Sequence, residues 1–170
     1  MRKNFKKNNT KGFSFIEVMF VVFILSTALV VFIQVITKSM GHSMESRDTI
    51  IAAGLAQEGV ELVKNIRDNN WANKREAFIG LGTNPCVISY NSDSCNSGDV
   101  KLNFNNNNFY THDSGSATKF SRRITITGTD IKTVTSMVIW EKDIFPADTN
   151  ACRAANKCVY ATITLTKWGE

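Results

Sequence analysis

The feature that most constrains this chain is the apolar run from Phe13 to Ile36, FSFIEVMFVVFILSTALVVFIQVI, interrupted only by Ser14, Glu17, Ser26, Thr27 and Gln34. As a helix its 24 residues would rise about 36 Å, enough to cross a hydrocarbon core of roughly 30 Å. Ahead of it stands MRKNFKKNNTKG, with Arg2, Lys3, Lys6, Lys7 and Lys11 and no acidic residue. Basic charge on that flank holds the N-terminus in the cytoplasm, so the residues after the span are expected outside. Glu17 is the exception to the apolar pattern. An unpaired charge in a bilayer costs on the order of 2.5–3.5 kcal/mol at the centre and less near an end. No basic residue lies within a turn or two beyond it, which points to a partner in another molecule.

Two simpler explanations fit less well. A secretory signal peptide has an apolar core of roughly 7–15 residues followed by a small-residue cleavage site. Here the core is longer, and the best such site, Ser26-Thr27-Ala28, falls inside it. A plain membrane anchor accounts for the length and the basic flank but leaves Gly12 and Glu17 without a reason.

The segment Gly12-Phe13-Ser14-Phe15-Ile16-Glu17-Val18 resembles the class III signal of type IV pilins and pseudopilins. That family carries a short basic leader, a glycine at its end, a phenylalanine next and a glutamate four residues further on. Ser14 and Phe15 replace the commoner Thr-Leu, both conservatively. The resemblance implies that a membrane-embedded prepilin peptidase cuts between Gly12 and Phe13 and methylates the new amine of Phe13. It also implies that Glu17 meets the Phe13 amine of a neighbouring subunit in a filament. Many major pilins have a proline where this chain has Gln34, and minor subunits often lack it, which favours a minor subunit. Further implied partners are other pilin or pseudopilin subunits, the membrane and a filament assembly platform. The implied location is a single-pass cytoplasmic membrane protein that later joins an extracytoplasmic or cell-surface filament.

Charge supports treating the leader as separable. The whole chain carries +5, and residues 1–12 hold all of it, so cleavage would leave 15 basic against 15 acidic side chains. A neutral mature chain argues against nucleic acid as a main partner. Its longest basic runs, Lys74-Arg75 and Arg122-Arg123, read as solvated faces. Four cysteines, Cys86, Cys95, Cys152 and Cys158, suit an oxidising compartment. Three pairings are possible. Cys86 with Cys95 and Cys152 with Cys158 close the shortest loops and form the expected pattern.

No proline occurs from Phe13 to Asn84, so the helix is expected to continue out of the membrane. Past Lys38, Ile51, Leu55, Leu62 and Ile66 make one stripe, with Ala52, Ala56, Val60 and Val63 beside it. The charges of LAQEGVELVKNIRD fall largely on the other side, and Asp68-Asn69-Asn70 reads as a stop. The expected organisation is a leader at 1–12, a transmembrane or filament-core helix at 13–37 and an amphipathic helix at 38–70. A loop-rich αβ region at 71–119 and an antiparallel sheet at 120–170 follow.

Within 71–119, Cys86–Tyr90 and Val100–Phe104 look like short strands, and Asn105–Asn108 like a solvated loop. In the sheet region, Ile124 and Ile126 alternate with threonines, and Thr133–Trp140 is apolar on both parities, as a central strand would be. Val159, Ala161, Ile163 and Leu165 alternate strictly with polar or exposed-type residues, as in a half-buried antiparallel strand. Gly128-Thr129-Asp130 marks a tight turn. Trp71, Trp140 and Trp168 read as packing residues. The fold class expected is α+β, a long N-terminal helix packed on an antiparallel sheet of three to five strands. FSRRITIT, VTSMVIWEKD and YATITLTKW resemble the sheet half of minor pilins and pseudopilins, more weakly than the N-terminal motif.

No catalytic arrangement is present: there is no GxSxG, HExxH, phosphate-binding glycine loop or dinucleotide fingerprint. His42 and His112 both read as surface residues. Major pseudopilins hold calcium in a C-terminal loop, but Asp143, Asp148 and Asn150 do not follow an EF-hand ligand series, so no metal or other cofactor is expected. Two other readings are a ligand-binding tip subunit, for adhesion or DNA uptake, and a membrane-anchored enzyme. The missing catalytic set counts against the second.

Overall fold

The computed structural model describes residues 12, 14–82 and 85–167. One helix, α1, runs unbroken from Phe15 to Ala72. Gly41 does not break it, and no proline within it removes a backbone donor. The chain divides into two compact units, Met1–Met44 and Glu45–Glu170.

In the first unit every described side chain from Ser14 to Met44 is exposed. The exposed set includes Phe20, Phe23, Leu25 and Phe32, each more than half accessible. Such a surface is far larger than a soluble monomer leaves uncovered.

In the second unit the rest of α1 packs on a five-stranded antiparallel sheet of order β2-β1-β3-β4-β5. The strands are β1 (Lys101–Phe104), β2 (Tyr110–Thr111), β3 (Ser116–Thr127), β4 (Ile131–Trp140) and β5 (Cys158–Thr166). The helix face that meets the sheet is built from small residues: Ala52, Ala56, Gly59, Val60 and Val63 are buried, flanked by Leu55 and Ile66. Ile51 and Leu62, expected in the main stripe, are only partly covered. Small side chains let the helix backbone come close to the strands. At Gly59 an added Cβ would land on Ser136 Oγ and lie 3.0 Å from Cδ of Arg122.

Two apolar clusters fill that interface. One gathers Val63, Ile66, Ile124, Ile126, Val134 and Leu165, and the other Ala52, Leu55, Leu102, Phe120, Val138 and Trp140. Burying side chains of this size stabilises the fold by about 1.5–3 kcal/mol each before entropy is counted. β4 is apolar on both faces, as its sequence suggests. Val134, Val138 and Trp140 face the helix, while Met137 and Ile139 meet Cys152, Cys158 and Phe145 behind the sheet. The loop after β4 thus covers the back of the sheet. It contains a short 3₁₀ turn, Ala154–Asn156.

The helix ends later than the Asp68-Asn69-Asn70 stop. Lys74 takes the left-handed conformation at φ 56° and closes a Schellman motif, its N–H donating to Trp71 O and that of Arg75 to Asn70 O. Asn70 then anchors the next segment, its Nδ2 donating to Ile79 O at 2.8 Å and Ala77 O at 3.3 Å. Gly128, at φ +94°, permits the β3–β4 turn.

Cys86–Tyr90 is not a strand. Cys86 makes one bridge to Ile124 of β3, and Val87 then pairs with Asn96. β1 takes the edge of β3 from Ser116 to Ser121, and Cys86 pairs beyond it, at Ile124 alone. Cys86 is bonded to Cys95, with Cα atoms 5.5 Å apart, and Cys152 to Cys158, at 5.0 Å.

Candidate functional site

The N-terminal site begins where α1 begins. The carbonyl of Ser14 accepts the N–H groups of Glu17 and Val18 at 3.0 and 3.3 Å, closing the first turn. Glu17 sits in that turn, where the unsatisfied N–H groups and the helix dipole favour a negative charge. Its side chain is exposed, and among the described residues no basic group pairs with it. Gly12 is exposed just ahead of the helix; Phe13 and the leader from Met1 to Lys11 lie outside the described residues.

The remaining polar side chains from Glu17 to Thr37 behave differently. Ser26 Oγ donates to Phe23 O, Thr27 Oγ1 to Ile24 O and Thr37 Oγ1 to Ile33 O, all at 2.9 Å. These hydroxyls are satisfied inside their own helix, as a hydrocarbon environment requires. Glu17 and Gln34 alone in this stretch have no hydrogen bond within the described chain. The helix is long and apolar enough to cross a membrane.

The second unit corrects three expectations about polar residues. Arg122 is not on a solvated face: it is fully buried. Its Nη1 donates to Glu58 Oε1 at 3.1 Å and Leu55 O at 3.3 Å, and its Nη2 to Ile88 O at 2.9 Å. It therefore ties α1, β3 and the Cys86–Cys95 segment together. Burial pulls its pKa down, and Glu58 opposes that. The signal was strand parity, since Arg122 shares its face of β3 with Phe120, Ile124 and Ile126. Arg123, on the other face, lies 4.6 Å from the Phe145 ring and donates to Pro146 O at 3.1 Å. Arg67 is likewise buried and paired with Asp68, rather than on the solvent side of the helix.

His112 is half-buried rather than on the surface. Its Nδ1 lies 3.0 Å from Asp99 O, and because a carbonyl only accepts, Nδ1 carries the hydrogen. Nε2 is buried with no partner. Desolvation, then the nearby Arg122 charge, lower the pKa of His112 to about 4. His42 is exposed, as expected. Of the tryptophans, Trp140 is a core residue, Trp71 is 58% exposed and Trp168 lies outside the described residues.

Among the described residues no group of three or more His, Cys, Asp or Glu could hold a metal ion. Asp148 instead caps its own loop, Oδ1 accepting from the N–H of Ala151 at 3.0 Å.

Residues 7–33 match the family model of the prokaryotic N-terminal methylation motif. No curated protein and no solved structure matches the chain significantly. The match covers the second half of the basic leader, the Gly12-Phe13 junction, Glu17 and most of the exposed apolar run. Such a signal marks a chain for prepilin peptidase and for assembly with other pilin subunits. With that motif heading a long helix whose residues from Glu45 onward pack on an antiparallel sheet, the chain resembles the type IV pilins and pseudopilins, which are structural filament subunits, in its N-terminal signal and in its α+β architecture.

Proposed function

We propose that this chain is a minor subunit of a type IV pilus or a type II secretion-like filament. Prepilin peptidase cuts between Gly12 and Phe13 and methylates the Phe13 amine. Residues 13–37 then leave the cytoplasmic membrane for the filament core, drawn by the assembly platform, while residues 38–170 stay extracytoplasmic. The single observation that carries this reading is Glu17: a carboxylate with no partner among the described residues, at the head of an uncovered apolar helix. Burial of that helix among others is strong but non-directional, so it does not set the axial register of the subunit. A Glu17 carboxylate facing the Phe13 ammonium of a neighbour would set it, because a shifted register strands two charges in low dielectric. Gln34, in place of a helix proline, supports the minor role.

Two measurements test this. Mass spectrometry of the mature protein should find a chain beginning at N-methylated Phe13; an intact Met1 leader in cells with active peptidase would refute the processing step. Glu17→Ala should insert into the membrane as well as wild type yet drop out of purified filaments. Normal incorporation of that variant would sink the pairing.

A second reading, a ligand-binding subunit at the filament tip, is favoured by one feature of the outer unit. The Asn105–Asn108 loop and Tyr90 border an open polar cleft.

A further inference from the structure

The cleft beside β1 and β2 has a volume of about 560 Å³ and a polar lining. That size lies in the range of small-ligand sites. Its lining includes Tyr90, Asn91, Asn106, Asn107, Thr111 and Asp113.

The cleft is held open by its own bonds. Asn105 Oδ1 accepts from the N–H groups of Asn107 at 3.0 Å and Phe109 at 2.9 Å, and Asn108 turns the chain at φ 64°. Thr111, 1% exposed, forms part of the lining; its Oγ1 donates to Asp113 Oδ2 at 2.9 Å and accepts from Asp113 N–H at 3.1 Å. Asn103 Nδ2 holds the carbonyl of Asp113 at 2.7 Å. The walls are thus fixed before any ligand arrives, which reduces the ordering cost of binding.

What remains unused is chemically specific. The side-chain amides of Asn91, Asn106 and Asn107 make no hydrogen bond within the described protein. Each offers two donors and an acceptor, and Asp113 adds acceptor capacity. Tyr90 is half exposed and stacks on Phe109, also exposed, with ring centroids 5.7 Å apart. This gives an apolar face beside a ring of donors and acceptors. No basic side chain is among the described lining residues, and one carboxylate is. Phosphate, sulfate and sialylated ligands are therefore disfavoured. One carboxylate is also too few for calcium, which takes roughly 6–8 oxygen ligands and is held mainly by acidic ones.

We infer that this cleft binds a neutral saccharide, its hydroxyls bridged by the asparagine amides and Asp113 and one C–H face of the sugar resting on Tyr90. The inference rests on the ligand-binding reading above and not on the assembly reading.

The test uses the full mature chain in a sugar-free zwitterionic detergent, applied to a printed panel. The panel carries neutral oligosaccharides, neutral polysaccharides, and sialylated and sulfated glycans. Retention on neutral oligosaccharides would point to short chains such as those of glycolipids, and retention on polymers alone to an extended polysaccharide; either supports the proposal. The best neutral glycan is then titrated by saturation-transfer NMR. Tyr90→Ala and Asn106→Ala, both at exposed positions, should each weaken binding about tenfold, the effect of one lost contact set. Tyr90→Phe should keep most of it, and circular dichroism should show all three variants folded. Glu17→Ala should bind like wild type, which separates this outcome from failure of the assembly reading. No retention of any neutral glycan, retention of acidic glycans only, or equal binding by Tyr90→Ala and Asn106→Ala would overturn it.

Discussion

The two parts of α1 use one backbone to meet two different surroundings. Up to Met44 its side chains are large, apolar and uncovered: Phe20, Phe23, Leu25, Leu29 and Phe32 are each about three-fifths exposed. From Ala52 onward the centre of the buried face is alanine, glycine and valine, flanked by Leu55 and Ile66, and Ala52, Ala56 and Val63 have no accessible surface left. The difference shows where each part finds its partner. The outer part approaches a sheet of the same chain, and close approach needs small residues. Among the described residues the inner part has no partner, and an uncovered apolar surface of that kind marks a membrane or protein interaction site. Polar groups follow the same division. Arg122 and Arg67 have partners inside the outer unit, whereas Glu17 and Gln34 have none among the described residues. The outer unit should therefore lose stability through substitutions that leave membrane insertion untouched.

The largest such effect is expected at Arg122. Arg122→Met removes the donors to Ile88 O and Leu55 O and leaves a poorly filled volume at a fully buried position. We expect a loss of about 3–5 kcal/mol in denaturant unfolding followed by tryptophan fluorescence. Glu58→Gln should cost about 1 kcal/mol or less, because Glu58 is 40% exposed and water replaces much of what it loses. Insertion of the N-terminal helix should be unchanged in both. Equal losses for the two variants, or failed insertion of the first, would break the division between the parts.

Arg122 also marks how far the sequence could be read. The long helix, its amphipathic outer half and the three C-terminal strands were legible because each is a local periodicity. Arg122 is in phase with Ile124 and Ile126 in FSRRITIT, yet the Arg122-Arg123 pair reads as a solvated face because it is charged. Its partner Glu58 lies 64 residues away, and nothing local announces that pair. The helix end was misread for a different reason: Lys74 occupies the left-handed position where a glycine would have signalled the cap. Residues 71–119 were least readable because their order comes from distant contacts. β2 is two residues long, and Thr111 is buried through bonds to Asp113 and Ser89 rather than by any pattern. At the N-terminal site the motif was plain, since glycine, phenylalanine and glutamate occupy fixed offsets. The asparagine cleft was legible only as a loop.

His112 gives a smaller effect, again confined to the outer unit. Its pKa is about 4 in the folded protein against an ordinary 6.5, so folding favours the neutral ring. Above pH 6.5 both states are neutral and the contribution is full. As pH falls from 6.5 through about 4 the unfolded chain takes up a proton that the folded one does not, and stability is lost. We expect about 1–3 kcal/mol, allowing for the partial exposure of the ring. Carboxylates also titrate there, so the measurement is the difference between wild type and His112→Asn across that range. The wild type should fall more steeply. Parallel curves would show that the imidazole ionises freely in the folded state.

The smallest effect sharpens the comparison most, because it sets an exposed position of α1 against one that faces the sheet. Gly54 and Gly59 are five residues apart in α1 and both pay the entropic penalty of glycine in a helix. At Gly54 an added Cβ meets nothing within 4 Å, so Gly54→Ala should stabilise the outer unit by about 0.5–1 kcal/mol. At Gly59 the same methyl meets Ser136 Oγ and comes within 3.0 Å of Ser136 Cβ and Arg122 Cδ. Ser136 is fully buried on an inner strand, and Arg122 is held by three acceptors, so neither can easily give way. Overpacking of about 1–3 kcal/mol then exceeds the gain in helix propensity, and Gly59→Ala should be destabilising. Opposite signs in paired thermal melts would establish that helix-to-sheet contact at Gly59 limits side-chain size in the outer part of α1. If both alanines stabilise, the helix does not press on β4 at Ser136, and the small-residue face needs another explanation.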